Sequence, residues 1–73
     1  MRLNMKVERT KHSLTQDDLA KRIGVHKNVI SRWETGDSDP TSKNLIALCN
    51  LYGCSPEYLL DMTDEKHAAA VAD

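Results

Sequence analysis

Apolar residues in this 73-residue chain recur at spacings of three and four and never alternate cleanly over the length of a strand, a pattern that predicts helices throughout. The most regular stretch is Thr15–Gly36, TQDDLAKRIGVHKNVISRWETG. Leu19, Ala20 and Ile23 share one face of a helix that opens after Thr15. Gly24 ends that helix, and Val25 returns the chain to the core. A second helix, from about Lys27 to Thr35, turns Ile30 and Trp33 inward and ends at Gly36. Lys27, Asn28, Ser31 and Arg32 are left outside. Two short helices joined by a tight turn, the second polar on its outer side, form a shape that fits the DNA major groove.

Three further helices follow from the same signals. One spans Asn4–Lys11, with Met5 and Arg9 four residues apart on its inner face and Leu14 closing the connection. Thr15 and Asp18 form a capping box, Asp17 and Asp18 meet the positive end of the next helix, and Lys21 and Arg22 occupy its last turn. The three glycines, Gly24, Gly36 and Gly53, each follow an apolar-periodic run and read as left-handed helix ends. Thr41 caps a fourth helix, about Ser42–Leu51, which buries Leu45, Leu48, Cys49 and Tyr52. Ser55 and Pro56 open a fifth containing Tyr58, Leu59 and Leu60. The expectation is an all-α, compact five-helix domain over residues 1–61. Residues 62–73 form a short tail expected to fray, because Ala68–Ala72 favour helix but have little to pack against.

Size and composition narrow the function. So short a chain makes one domain with a small core. Nothing in it reads as a signal peptide or a transmembrane run, so the expected location is the cytoplasm, with no membrane partner. The net charge of −1 conceals an asymmetry. Residues 1–43 carry nine Lys or Arg against six Asp or Glu, whereas residues 44–73 carry only Lys66 against five acids. The basic part coincides with the helix pair, as a nucleic-acid surface requires. Cys49 and Cys54 fall at small apolar positions and imply neither a metal site nor a cofactor. No nucleophile–base constellation is present, and the chain leaves little room for a substrate cleft, which argues against an enzyme.

With those residues in view, the chain resembles the λ repressor-like helix-turn-helix proteins, the Cro or XRE type. The resemblance runs from about Met5 to Leu60 and rests on LTQDDLAKRIGVHKNVISRWETG, then Pro40, then LIALCNLYGCSPEYLL. It is specific because the TQ at a helix start, the LA within it, the IGV turn, the IS-R-W-E run and the closing glycine occur together at the family spacing. The resemblance implies a homodimer on a palindromic operator in double-stranded DNA, in a bacterial or phage-encoded, nucleoid-associated setting. It assigns Gln16 to a phosphate at the start of helix two and Lys27, Asn28 and Arg32 to base reading, with Ser31 beside them. Thr41, Ser42 and Lys43 match a second phosphate clamp. Arg9 and Glu34 match a structural ion pair. Pro56, Glu57 and Tyr58, with Met62, match a dimer interface. Two positions depart from the family pattern: His26 stands where Ser or Thr usually caps helix three, and the Asp37-Ser38-Asp39 loop is acidic, which would repel nearby phosphates.

Side-chain chemistry ranks these residues. Arg32 is the best base reader, since its planar fork can donate twice to guanine, an interaction worth roughly 1–3 kcal/mol of discrimination. Asn28 suits adenine. Lys27 reaches either guanine or a phosphate, and Val29 either packs inward or meets a thymine methyl. His26 is either a turn residue or a cap and phosphate ligand through its ring. The two function classes left are a small transcriptional regulator, acting as a repressor, and a protein-interaction module such as the antitoxin of a toxin–antitoxin pair.

Overall fold

A computed structural model describes residues 2–66 as five helices: α1 (Leu3–Lys11), α2 (Gln16–Ile23), α3 (Lys27–Thr35), α4 (Ser42–Tyr52) and α5 (Pro56–Leu59). From α2 to α5, each helix starts where the preceding residue supplies a side-chain acceptor. Thr15 Oγ1 accepts from the Asp18 amide while the Asp18 carboxylate accepts from the Thr15 amide, completing the capping box. Thr41 caps α4 through the Asn44 amide, and Ser55 caps α5 through the Tyr58 amide. The Gly24 backbone, at φ +88°, reverses the chain between α2 and α3 in a conformation that strains a residue bearing a side chain.

The ends of α1 are less conventional. Ser13 sits at φ +57° while its amide bonds Thr10 O and the Leu14 amide bonds Arg9 O, a Schellman arrangement with serine where glycine is usual. At the other end no local side chain caps the helix. The Asp61 carboxylate, 58 residues from Leu3, accepts from the Leu3 and Asn4 amides at 2.7 and 3.1 Å. The start of α1 is thereby tied to the turn that follows α5.

The core draws on every helix: Met5 of α1, Leu19 and Ala20 of α2, Ile30 and Trp33 of α3, Leu48 and Tyr52 of α4, and Tyr58 and Leu59 of α5. Burial of each large apolar side chain stabilises by roughly 1.5–3 kcal/mol relative to leaving it in water. Trp33 is 3% exposed and anchors α3 from within. Cys49 and Cys54 are half-buried at the edge of this core, and burial pushes both thiols up, Cys54 to about 11. Burial thus favours the protonated thiol at both positions.

At the start of the expected tail, residues 62–66 make contacts with the domain: the Ser55 amide bonds Lys66 O at 2.8 Å, the Met62 amide bonds Glu57 O at 2.8 Å, and Lys66 Nζ lies 3.2 Å from Glu8 Oε1. The expectation for Ala68–Ala72 lies outside the described residues. Tyr58, expected at the interface between copies, faces inward. It is 8% exposed, and its hydroxyl donates to Glu8 Oε2 inside the chain. The reason is the entirely buried Glu8 carboxylate on α1, which needs donors and draws the tyrosine inward.

Candidate nucleic-acid interface

Ile30 and Trp33 fix the rotation of α3, and helical geometry then dictates what faces outward. Lys27, Asn28 and Arg32 are exposed, Ser31 and Val29 are half-buried, and Val29 packs against the core edge. Close-set small and long polar groups on one rigid helix make a surface that can enter a groove and meet base edges.

The start of α3 is held by His26. Its ring Nδ1 accepts from the Asn28 amide at 3.1 Å, doing through an imidazole what Ser or Thr does through a hydroxyl. This bond fixes the ring as the tautomer with Nδ1 unprotonated. The far end is held by Arg2. Its amide bonds Glu34 O at 2.7 Å, and Nη1 donates to Trp33 O and Ser38 O at 3.0 and 2.7 Å. Nη2 pairs with Asp39. The expected repulsion of phosphates by the Asp37–Asp39 loop is therefore reduced, because Arg2 neutralises one of its two carboxylates. An arginine at the second position gave no signal of this in the sequence, since all its partners lie more than thirty residues away.

Arg9, Glu34 and Gln16 come together behind the reading helix. Arg9 Nε and Nη2 donate to the two Glu34 oxygens at 2.6 and 3.2 Å, and Arg9 Nη1 donates to Leu14 O at 2.9 Å. That fork holds the guanidinium above its ordinary pKa, outweighing the opposing effect of burial. Gln16 Nε2 donates to Glu34 Oε1 at 3.2 Å. Gln16 also borders an open depression shared with Thr10, Ser13, Asp17 and Lys27. The Gln16 and Asp17 amides, first in α2, have no carbonyl within the helix to donate to.

Thr41, Ser42 and Lys43 lie exposed where α4 begins, and the Thr41 hydroxyl is committed to the helix cap. Among the described residues, Lys27, Arg32 and Lys43 pair with no carboxylate, whereas Arg2, Arg9, Lys11, Lys21 and Lys66 all do. The unneutralised positive charge thus includes the candidate DNA-facing residues. Pro56, Glu57 and Met62 are exposed, Met62 at 72%, while Tyr58 between them is buried. No described group of His, Cys, Asp and Glu side chains could hold a metal ion, and no described helix is long and apolar enough to cross a membrane.

Comparison with known proteins agrees with this geometry. A helix-turn-helix family model matches residues 5–59. The chain is 40% identical over 65 residues to the HTH-type transcriptional regulator DicA of Escherichia coli, covering 89% of this chain and 47% of that protein. It is 39% identical over 56 residues to the repressor protein C2 of Salmonella phage P22, covering 77% of this chain and 26% of that protein. An uncharacterised HTH-type transcriptional regulator of Methanocaldococcus jannaschii is 33% identical over 66 residues, covering 90% of this chain and the whole of that protein. The chain therefore spans less than half the length of the first two relatives. No solved structure matches significantly. The chain belongs to the helix-turn-helix family of λ repressor-like DNA-binding proteins.

Proposed function

We propose that the chain is a repressor that binds a palindromic operator as a homodimer, with α3 in the major groove. The observation that carries this reading is the outer face of α3, where unpaired Lys27 and Arg32 flank Asn28 on a helix anchored by Trp33. Arg32 donates to a guanine, Asn28 meets an adenine, and Lys27 and Ser31 complete the base contacts. Gln16 at the start of α2, with Thr41, Ser42 and Lys43 at the start of α4, holds phosphates on either side of the groove. One recognition helix reads about four or five base pairs, too few for a unique address, and a second copy on a symmetric site multiplies the information. Pro56, Glu57 and Met62 supply the contact between copies. That surface is small, so the free dimer is weak and adjacent half-sites stabilise it. The name of the phage P22 relative supports repression, and the Escherichia coli and Salmonella phage sources of two of the relatives support action in a bacterial cytoplasm.

The test is selection of bound duplexes from a random DNA library followed by sequencing. An inverted repeat is the expected result. Enrichment of a single half-site would refute the dimer, and no enrichment over competitor DNA would refute operator binding.

A further inference from the structure

We infer that Glu34 is the positioning residue of the phosphate clamp: its buried carboxylate fixes the Gln16 carboxamide with nitrogen inward and leaves the second N–H free for the DNA backbone. The inference rests on the reading of Gln16 as a phosphate contact. It goes beyond the Arg9 ion pair, because it gives the same carboxylate a second task on another helix.

A glutamine amide has two nearly isosteric ends, one donating and one accepting, and an unheld side chain presents either to a phosphate. Only the nitrogen end attracts it. Glu34 is 5% exposed, and both its oxygens already accept from the Arg9 fork, so it meets Gln16 as an acceptor. Gln16 Nε2 lies 3.2 Å from Glu34 Oε1, which commits the nitrogen to this side and removes the flipped orientation. The carboxylate also polarises the amide and strengthens its remaining N–H as a donor.

The main chain is fixed by the same group. Arg9, oriented by Glu34, donates Nη1 to Leu14 O two residues before Gln16, so backbone and side chain of the clamp share one reference. That reference is α3 itself, since Glu34 lies two residues beyond Arg32 on the same helix. Phosphate clamp and base-reading helix are thus one rigid unit, and the register of the protein on the backbone fixes where Arg32 arrives.

A double-mutant cycle tests this on the full chain, using a fluorescein-labelled mixed-sequence duplex at low salt, because a phosphate contact does not depend on sequence. In the parent, Gln16→Met should weaken binding about three- to tenfold. In the Glu34→Gln background, at a temperature where both proteins remain folded, the same change should cost less than about twofold. Glu34→Asp keeps the charge for Arg9 but withdraws the acceptor from Gln16, and should reduce the Gln16→Met effect in the same way. NMR relaxation of the Gln16 side-chain amide should show restricted motion in the DNA-free parent and free motion in Glu34→Gln. Equal Gln16→Met losses in all backgrounds, or an amide equally mobile in parent and variant, would overturn the positioning role alone. A parent that binds no duplex would overturn the DNA-binding function, and this inference with it.

Discussion

The Tyr58 hydroxyl donates a 3.0 Å hydrogen bond to Oε2 of Glu8, fifty residues away, joining α5 to α1 through a carboxylate with no exposed surface. Lys66 Nζ approaches the other oxygen at 3.2 Å, and Lys11 Nζ lies 3.7 Å from Oε2. A buried charge with partners from three segments holds the short α5 and the chain after it against the domain. Helix propensity alone would not maintain four residues of helix there.

Tyr58→Phe keeps the ring in the core and removes one donor from a buried carboxylate. The expected cost is about 2 kcal/mol, the value of a hydrogen bond to a charged group, and a fall in Tm on the order of 10 °C. Affinity for DNA at a temperature well below Tm should not change, since the hydroxyl faces inward. Thermal melts by circular dichroism measure the first effect. A variant as stable as the parent would mean that the bond contributes nothing.

Acid stability follows from the same site. Burial alone would raise the Glu8 pKa, but the close Lys66 ammonium, the Tyr58 hydrogen bond and the charge of Lys11 hold it below the ordinary value of 4.5. A carboxyl with a depressed folded-state pKa stabilises the protein above its unfolded pKa, and that stabilisation is lost as pH falls through the folded value. The parent should therefore lose stability progressively below about pH 4.5, and Glu8→Gln should flatten that slope. Asp18, lowered by its capping bonds with Thr15, adds a limb of the same sign. Denaturant midpoints between pH 3 and 7 test both, and parallel curves for parent and Glu8→Gln would exclude Glu8 as a contributor.

This site marks where sequence stops being informative. The helices, the Thr15–Asp18 box, the Thr41 and Ser55 caps and the outward face of α3 all depend on residues within four positions of one another, so spacing reveals them. Glu8 lies among Lys6, Arg9 and Lys11 and reads as a solvated position. Its burial depends on Tyr58 and Lys66, far along the chain. Arg2 on the α3 carbonyls, Asp61 on the α1 amides and Gln16 on Glu34 belong to the same class of long-range polar pairings, which no local pattern encodes. The inward turn of Tyr58 belongs with them: proline, glutamate and tyrosine after a cap look like a helix surface until the buried carboxylate is known.

Arg9→Ala or Glu34→Ala should destabilise by on the order of 3 kcal/mol. The side chains are 12% and 6% exposed, and removing one leaves the other charge buried and unpaired. Much of that cost is the abandoned charge and not the worth of the pair, so replacing both by apolar residues should recover part of it. Unfolding curves for the two single variants and the Arg9→Met/Glu34→Leu double variant decide the point. A double variant less stable than either single one would contradict this account.

His26→Ala removes the side-chain acceptor that caps α3 and should cost about 1 kcal/mol, as other cap deletions do. His26→Ser should restore the cap and most of the stability. Amide exchange of Asn28 reads the effect locally: it should speed up in His26→Ala and return towards the parent rate in His26→Ser. No change in either variant would show that the first turn of α3 holds without the ring.

Arg32→Ala is the sharpest test of function. Arg32 is exposed, one position before buried Trp33 and two after buried Ile30, so its loss should leave helical content unchanged. If its fork donates to a guanine, operator affinity falls by roughly 1–3 kcal/mol per half-site, and preference relaxes at one symmetry-related base pair. Affinity for mixed-sequence DNA should fall only modestly, because one charge of several is lost, and the salt dependence should change little. Gln16→Met should behave in the opposite way, weakening matched and mismatched operators by similar factors. Competition binding against operators altered one base pair at a time separates the two. A uniform loss for Arg32→Ala on every sequence would make Arg32 a phosphate anchor and shift base reading to Lys27 and Asn28, the other exposed polar residues on the outer face of α3.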